Sequence, residues 1–161
     1  MVLKEVKLHN PSMIEVVMAA GSVKGCPRRI AVIACYIPPN YTVPKGRQAM
    51  QFASGAVAEA KRRFNDPIIV LSGDFNQWRI EDHLADFPDL SEHDVGPTRG
   101  DRCIDRIFSN LSVSVSGTVP PLETDLVNGA AVCKSDHRVA FVQSTVDRVV
   151  ASKVMSYSYR Y

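Results

Sequence analysis

The run IIVLSGDFN at residues 68–76 constrains the fold of this chain more than any other segment. Four consecutive apolar residues, three of them β-branched, are typical of a short strand that is buried on both faces of a sheet. Pro67 precedes the run, at a position where a strand tolerates proline. Because the next residues are small and let the chain turn, we expect Asp74 and Asn76 at the carboxyl edge of a sheet, where α/β proteins usually bind ligands.

Upstream of this strand, the pattern predicts two strands and one long helix. Residues 13–19 and 29–36 are apolar and β-branched, and the short Gly-containing connection between them predicts antiparallel neighbours. Residues 46–64 place apolar side chains on one face at helical spacing. The basic residues 61–63 fall in the last turn, where they complement the helix dipole. We interpret this basic cluster as a solvated helix face and not as a binding surface.

Downstream of it, β-branched and alternating patterns predict three more strands, at residues 102–109, 113–117 and 139–146. We expect the first two to form a hairpin and the third to complete the sheet. A short helix is expected near Glu81, and residues 90–98 and 119–132 are expected to form loops, the first with room for a short strand. The predicted fold class is α/β, with a mixed, largely antiparallel sheet covered by helix. One domain at 1–146 is followed by a tail at 147–161.

Composition narrows the class of protein and its partners. A chain of 161 residues is long enough for one domain with a sizeable core. The net charge of +2 is too small to predict nucleic-acid binding, so any basic surface must be local, as at residues 99–102. Four scattered cysteines without a Cys-x-x-Cys pair disfavour a zinc site and predict reduced thiols in an intracellular protein, nuclear or cytoplasmic. No apolar run approaches the roughly 20 residues that span a bilayer, so we expect no membrane partner.

Polar side chains stand at four predicted strand ends: Tyr36, Asp74 with Asn76, Asp105, and Asp136 with His137. This set suits the hydrolysis of a phosphodiester. Carboxylates supply the hard oxygen ligands that a divalent metal needs, and Mg²⁺ keeps part of its water shell while it contacts a phosphate. A carboxylate can activate a water molecule, and a histidine held by an aspartate can donate to the phosphate as charge develops. A nearby phenol or amide can fix the non-bridging oxygens.

Each of these residues also has a structural interpretation. Gly, Asp and Asn favour turns, so the GDFN segment alone is equally consistent with a turn. Tyr36 can cap a strand with its ring in the core, and Asp105 can pair with a neighbouring arginine at the surface. The pair Asp136 and His137 can likewise be a turn. The agreement of four segments favours a site over independent turns.

The chain resembles the endonuclease/exonuclease/phosphatase (DNase I-like) superfamily in four motifs that occur in the same order: YIPP at 36–39, GDFN at 73–76, IDRIF at 104–108 and SDH at 135–137. The Tyr-x-Pro-Pro variant and the spacing from Thr98 to Asp105 most resemble the endonuclease-like domain of non-LTR (LINE-type) retroelements, which accompanies a reverse transcriptase. The resemblance covers about residues 13–146. It implies a fold like the C-terminal half of the family's α/β sandwich.

The resemblance implies catalytic roles for five residues. Asp74 is similar to the residue that positions and deprotonates the attacking water, and Asn76 to an amide that contacts the phosphate. His137 is similar to the histidine that acts on the phosphate, and Asp105 to the aspartate that holds it. Tyr36 is similar to a tyrosine on the phosphate side.

The same resemblance implies a cofactor and a substrate. Asp136 matches a carboxylate of the family's metal site, which implies Mg²⁺ or Mn²⁺. Asn76, Thr98 and Arg99 match positions that imply substrate binding, with DNA as the expected partner.

The front of the chain departs from the family. Family members begin with a further segment that supplies an asparagine and the principal metal-ligand glutamate, whereas here twelve residues precede the first predicted strand. Neither Glu5 nor Glu15 stands at a matching position. A sheet that lacks its partner sheet would expose an apolar face, so we expect a homo-oligomer or a missing N-terminal segment to cover it.

Three hypotheses about function follow. The first is a magnesium-dependent DNA endonuclease module of a retrotransposon-type protein, which is inactive if the absence of the N-terminal metal-ligand glutamate is decisive. The second is a catalytically dead remnant that acts as a binding or oligomerising module. The third keeps the fold but changes the substrate, as in a phosphatase or a phospholipid phosphodiesterase.

Overall fold

A computed structural model describes residues 2–7, 15–120, 123–127, 130–133 and 136–144, with side chains for 16–120 and 136–144. The elements, in chain order, are β1 (Val2–Lys7), β2 (Glu15–Ser22), β3 (Arg29–Tyr36), α1 (Val43–Arg63), β4 (Ile68–Asp74), a 3₁₀ helix (Glu81–His83), β5 (Ser91–His93), β6 (Asp105–Ser109), β7 (Val113–Val119), β8 (Glu123–Val127), β9 (Ala130–Cys133) and β10 (Val139–Ser144).

A six-stranded sheet in the order β1-β2-β3-β4-β6-β5 forms the body of the molecule. Strands β3 and β4 are parallel, and every other neighbouring pair in this sheet is antiparallel. Helix α1 is the crossover that a parallel pair requires. The predicted fold class, a mixed and largely antiparallel sheet with a helical cover, is therefore confirmed.

Helix α1 packs on one face of this sheet through small side chains. Ala49, Ala53 and Ala60 are fully buried, so the helix can approach the strands closely. Met18 and Ile33 face it from β2 and β3, and both have no exposed surface. Burial of an apolar side chain of this size stabilises a fold by about 1.5–3 kcal/mol. No helix in the described ranges is both long and apolar enough to cross a membrane.

The opposite face of the sheet remains partly open at β2 and β3. Val17 and Val32 are 42% and 39% exposed, and Ala34, paired in register with Val17, also lies on this outer face. Residues paired in register project to the same side of a sheet. We call this side of the sheet, which faces away from α1, the outer face. The polar strand ends described below lie on it.

Three predictions about the second half differ from the structure. Strand β7 pairs with β10 in a separate two-stranded sheet. Strand β7 is therefore not the hairpin partner of β6, and β10 does not complete the main sheet. Strands β8 and β9 form a hairpin within the predicted loop at 119–132. At the front of the chain, strand β1 has no counterpart among the predicted strands. Pairing partners depend on distant segments, which periodicity along the chain does not specify. The predicted tail at 147–161 lies outside the described residues.

Candidate active site

Three of the predicted site residues form a row across the outer face of the main sheet. Tyr36 pairs in register with Asp74 across the parallel strands β3 and β4. Asp74 in turn pairs with Asp105 across the antiparallel strands β4 and β6. Because residues in register project to the same side, the row places a phenol and two carboxylates on neighbouring strands. The structure therefore places these three predicted strand ends side by side.

A glycine makes the close strand contact beside Asp74 possible. A Cβ atom on Gly73 would lie 1.8 Å from the backbone oxygen of Cys35, a distance that no side chain allows. Beyond the strands, the N–H of Ile37 donates to the carbonyl of Asp74 and that of Phe75 to the carbonyl of Ile104, both at 2.9 Å. These bonds fix the backbone on either side of the Asp74 carboxylate.

His137 reaches the row from a different part of the fold. Its Nδ1 lies 2.8 Å from Oδ2 of Asp105, and both side chains are half-buried. A carboxylate only accepts hydrogen bonds, so the imidazole donates through Nδ1. This contact orients the ring, as sequence analysis predicts for the pair.

The Asp74 carboxylate has a raised proton affinity. Partial burial raises its pKa above the ordinary value, and the charge of Asp105 acts in the same direction. The backbone N–H of Asn76, which donates to Oδ1 of Asp74 at 2.9 Å, and the nearby His137 oppose this rise. A carboxylate with a raised pKa is better able to accept a proton from water.

Asn76 is held in an unusual backbone conformation. Its φ of 50° lies in the left-handed region, which Asn tolerates better than most residues. Its side-chain amide donates to the carbonyl of Ile37 at 3.0 Å. The turn after β4 is thereby tied to the segment after β3, and the amide group has a fixed orientation.

Two residues that sequence analysis did not single out strengthen the same connection. The Trp78 indole N–H donates to the carbonyl of Pro38 at 3.2 Å, and the Gln77 amide donates to that of Pro39. Prolines have no N–H, so this segment cannot pair with a strand through its own donors. The signal in the sequence was this adjacent pair of prolines, which interrupts strand pairing directly after β3.

The residues predicted to bind substrate differ in accessibility. Thr98 is fully buried, which favours a structural role in the site over direct contact with a substrate. Arg99 is partly exposed and its guanidinium lies 2.6 Å from the carboxylate of Asp136. Asp136, the predicted metal ligand, is therefore engaged by Arg99, and its other oxygen lies 3.8 Å from Nε2 of His137.

Three groups in the site could hold a metal ion. One ligand atom each from Asp74, Asp105 and His137 lies within 4.8 Å of the others. Two carboxylates suit a hard cation such as Mg²⁺, and the additional imidazole nitrogen suits Mn²⁺ at least as well. The donor set therefore fits a divalent ion, although its members differ from the single ligand, Asp136, that the sequence predicted.

Comparisons of the amino-acid sequence with protein families and with curated proteins are negative. No family model matches the chain, and no curated protein matches it.

Comparisons of the fold are positive. The mannosyl-6-phosphatase of Bacteroides thetaiotaomicron VPI-5482 matches with a TM-score of 0.60 and 15% identity over 81% of this chain. D. rerio TDP2 complexed with a single-strand DNA product matches with a TM-score of 0.57 and 14% identity over 84%. An endonuclease/exonuclease/phosphatase family protein from B. thetaiotaomicron matches with a TM-score of 0.52 and 16% identity over 78%.

This chain spans 57%, 66% and 53% of the lengths of those three chains, respectively. At such identities the likeness concerns the fold alone. The chain has the DNase I-like fold of endonuclease/exonuclease/phosphatase proteins.

Proposed function

We propose that this protein is a metal-dependent phosphodiester hydrolase that cleaves DNA. The observation that carries the proposal is the convergence of Asp74, Asp105 and His137 within 4.8 Å on the outer face of the sheet. Groups of this kind, partly buried at a strand edge and with a perturbed carboxylate pKa, are typical of catalytic sites.

Each residue has a defined task in this proposal. Asp74 accepts a proton from the water that attacks phosphorus, which its raised pKa favours. His137 donates to a non-bridging or leaving oxygen of the phosphate, while its contact with Asp105 holds the ring in place. The amide of Asn76 and the phenol of Tyr36 contact the remaining phosphate oxygens.

A divalent ion would supply positive charge to the developing phosphorane-like transition state. Asp74 and Asp105 are the oxygen ligands that would hold it, and Asp136 could join them if its carboxylate left Arg99. The charge of Arg99 beside Asp136 would then become available to the substrate backbone.

Local basic charge supports a polyanionic substrate. Arg102 and Arg138 are exposed, and both flank the site, because the backbone of each is hydrogen-bonded to Thr98. The net charge of the chain is small, so this local set, with Arg99, is the feature that favours DNA. The TDP2 neighbour with a DNA product is in accord with this choice. Membership of a retroelement protein remains part of the proposal and rests on the sequence motifs alone.

A second candidate is favoured by the outer face. Exposed Val17 and Val32 form an apolar surface that continues towards Tyr36. Such a surface suits a binding or oligomerising module, with a second copy or another segment as its cover. A phosphomonoesterase of the same fold is the third candidate, and the mannosyl-6-phosphatase neighbour is its support.

The test is nicking of supercoiled plasmid DNA in the presence of Mg²⁺ or Mn²⁺. Wild type is compared with Asp74→Ala and His137→Ala, and with Asp86→Ala as a matched control, since Asp86 is exposed and lies outside the site. Metal-dependent nicking that is lost in the first two variants and kept in the control is the expected result. A folded wild-type protein that hydrolyses a phosphomonoester and leaves DNA intact would favour the third candidate, and one without any hydrolysis would favour the second.

A further inference from the structure

Thr98 is one of the two buried polar residues in the described part of the chain, and it lies at the centre of the site's scaffold. It has no exposed surface. Its hydroxyl oxygen accepts the backbone N–H of Ile104 at 3.1 Å and that of Asp105 at 3.0 Å. The start of β6, and with it the Asp105 backbone, is therefore bound by this side chain in addition to its pairing with β4.

The backbone of Thr98 binds two further segments. Its N–H donates to the carbonyl of Arg102 at 2.9 Å, which closes the turn at 99–102. Its carbonyl accepts the N–H of Arg138 at 2.7 Å, next to His137 in the chain. One residue thus joins the segment of Asp105 to the segment of His137.

This connection matters because no strand pairing supplies it. Asp105 belongs to the main sheet through β6, whereas His137 precedes β10, which belongs to the separate sheet with β7. A hydrogen-bonded ladder would fix two neighbouring strands to a fraction of an ångström, but β6 and β10 share none. The 2.8 Å contact between the imidazole and the carboxylate therefore depends on other links between the two sheets.

We propose that Thr98 is a positioning residue for the Asp105–His137 pair, an inference that rests on the proposed hydrolase function. Its hydroxyl sets the position of Asp105, and its carbonyl sets the position of the segment that carries His137. Full burial keeps it from the substrate, so it acts through these two residues. Loss of the hydroxyl leaves two amide N–H groups without their acceptor, and the start of β6 shifts.

Three variants separate positioning from simple stabilisation. Thr98→Val keeps the size and removes the hydroxyl, and Thr98→Ser keeps the hydroxyl. Ser109→Ala is the matched control, since Ser109 is also buried on β6 and its hydroxyl contacts the N–H of Leu111 and Nε2 of His93, but it makes no contact with the Asp105–His137 pair.

The first measurement does not need activity. In ¹⁵N-histidine-labelled protein, the Nδ1–H of His137 donates to a carboxylate and should give a downfield, slowly exchanging resonance, assigned by its absence in His137→Ala. We expect this resonance in wild type, Thr98→Ser and Ser109→Ala, and its loss in Thr98→Val while cooperative unfolding persists. If Thr98→Val does not fold, Thr98→Ala, which also removes the hydroxyl acceptor, is measured in its place with the same expected loss of the resonance.

The second measurement is the rate of plasmid nicking. Thr98→Val should lower kcat by roughly 10- to 100-fold at unchanged KM, as expected when a catalytic group is misplaced. Thr98→Ser should restore the rate, and Ser109→Ala should leave it unchanged.

The outcomes distinguish this inference from the proposed function. A wild-type resonance that survives in Thr98→Val, or that disappears equally in Ser109→Ala, overturns the positioning role. Absence of the resonance in wild type overturns it as well. If the resonance behaves as expected and no protein nicks DNA, Thr98 positions the pair and the proposed function is wrong.

Discussion

The imidazole of His137 donates to the carboxylate of Asp105 across 2.8 Å, although 32 residues separate them in the chain. Asp105 lies on β6 of the main sheet and His137 lies just before β10 of the separate sheet, so the contact is a product of tertiary structure. It fixes the orientation of the imidazole ring. At this contact Asp105 presents a carboxylate charge to the imidazole.

Asp105→Asn tests that charge. The amide keeps the size of the side chain, but its neutral oxygen is a weaker acceptor for the imidazole N–H. We expect kcat for plasmid nicking to fall by roughly 100-fold or more, in the range of general acid–base contributions. Rates at saturating DNA measure this, and a variant with wild-type kcat would contradict the assigned role.

Asp74→Asn should stabilise the protein at neutral pH while it abolishes nicking. Burial and the charge of Asp105 raise the folded-state pKa of Asp74. The folded state therefore binds the proton more tightly, so this group's contribution to stability is present below the ordinary pKa of an aspartate and is lost as the pH rises through the raised value. The asparagine side chain carries no charge, so Asp74→Asn does not lose this stability at neutral pH. Its amide oxygen can still accept the backbone N–H of Asn76.

Thermal unfolding of both proteins between acid and neutral pH measures the effect. The advantage in Tm of Asp74→Asn should be largest near neutral pH, should shrink as the pH falls through the raised pKa of Asp74, and should be gone below the ordinary pKa of aspartate, about 3.9. An advantage that grows towards acid pH would mean that the carboxylate is stabilised in the fold.

Gly46→Ala tests the contact between α1 and the turn after β4. A Cβ atom there would lie 2.2–2.3 Å from ring carbons of Trp78, so the indole must move. We expect a loss of about 1–3 kcal/mol in the free energy of unfolding. Trp78 is the chain's single tryptophan, so its fluorescence reports the displacement directly.

Gly55→Ala is the control in the same helix. A Cβ atom at this position meets no atom within 4 Å. Alanine should therefore stabilise the helix by about 0.5–1 kcal/mol and leave the tryptophan emission unchanged. Equal effects of the two substitutions would show that the indole does not pack on Gly46.

Arg99→Ala tests whether the ion pair with Asp136 serves binding or stability. Both side chains are well exposed, so the pair should contribute no more than about 1 kcal/mol to the free energy of unfolding. If Arg99 contacts a phosphate of DNA, the slope of log K against log salt should fall by about 0.9 for duplex DNA. DNA affinity measured at several salt concentrations decides this, with Arg62→Ala as the control, because Arg62 pairs with Glu59 on α1. An unchanged slope in Arg99→Ala would place Arg99 outside the DNA interface.

Val32→Lys tests the outer face. If a second copy covers this face, a charge at Val32, which is 39% exposed, should shift the protein towards monomer in light scattering after size exclusion. A wild-type protein that is already monomeric at high concentration would argue against self-association.

The amino-acid sequence by itself predicted the two elements that frame the candidate site, β4 and α1. The buried run before Asp74 formed β4 as predicted, and the helical spacing after residue 46 formed α1. Local periodicity is enough for such conclusions, because each depends on neighbours in the chain.

Tertiary structure alone decided how the remaining groups are arranged. The pairing of β7 with β10 carries His137 to Asp105, and Thr98 becomes a buried link between them. Asp136 forms an ion pair with Arg99, whereas the group that could hold a metal consists of Asp74, Asp105 and His137. These outcomes depend on contacts between distant segments, which are set by packing and by the need of buried polar groups for hydrogen-bond partners. The spacing of residues along the chain does not specify such contacts.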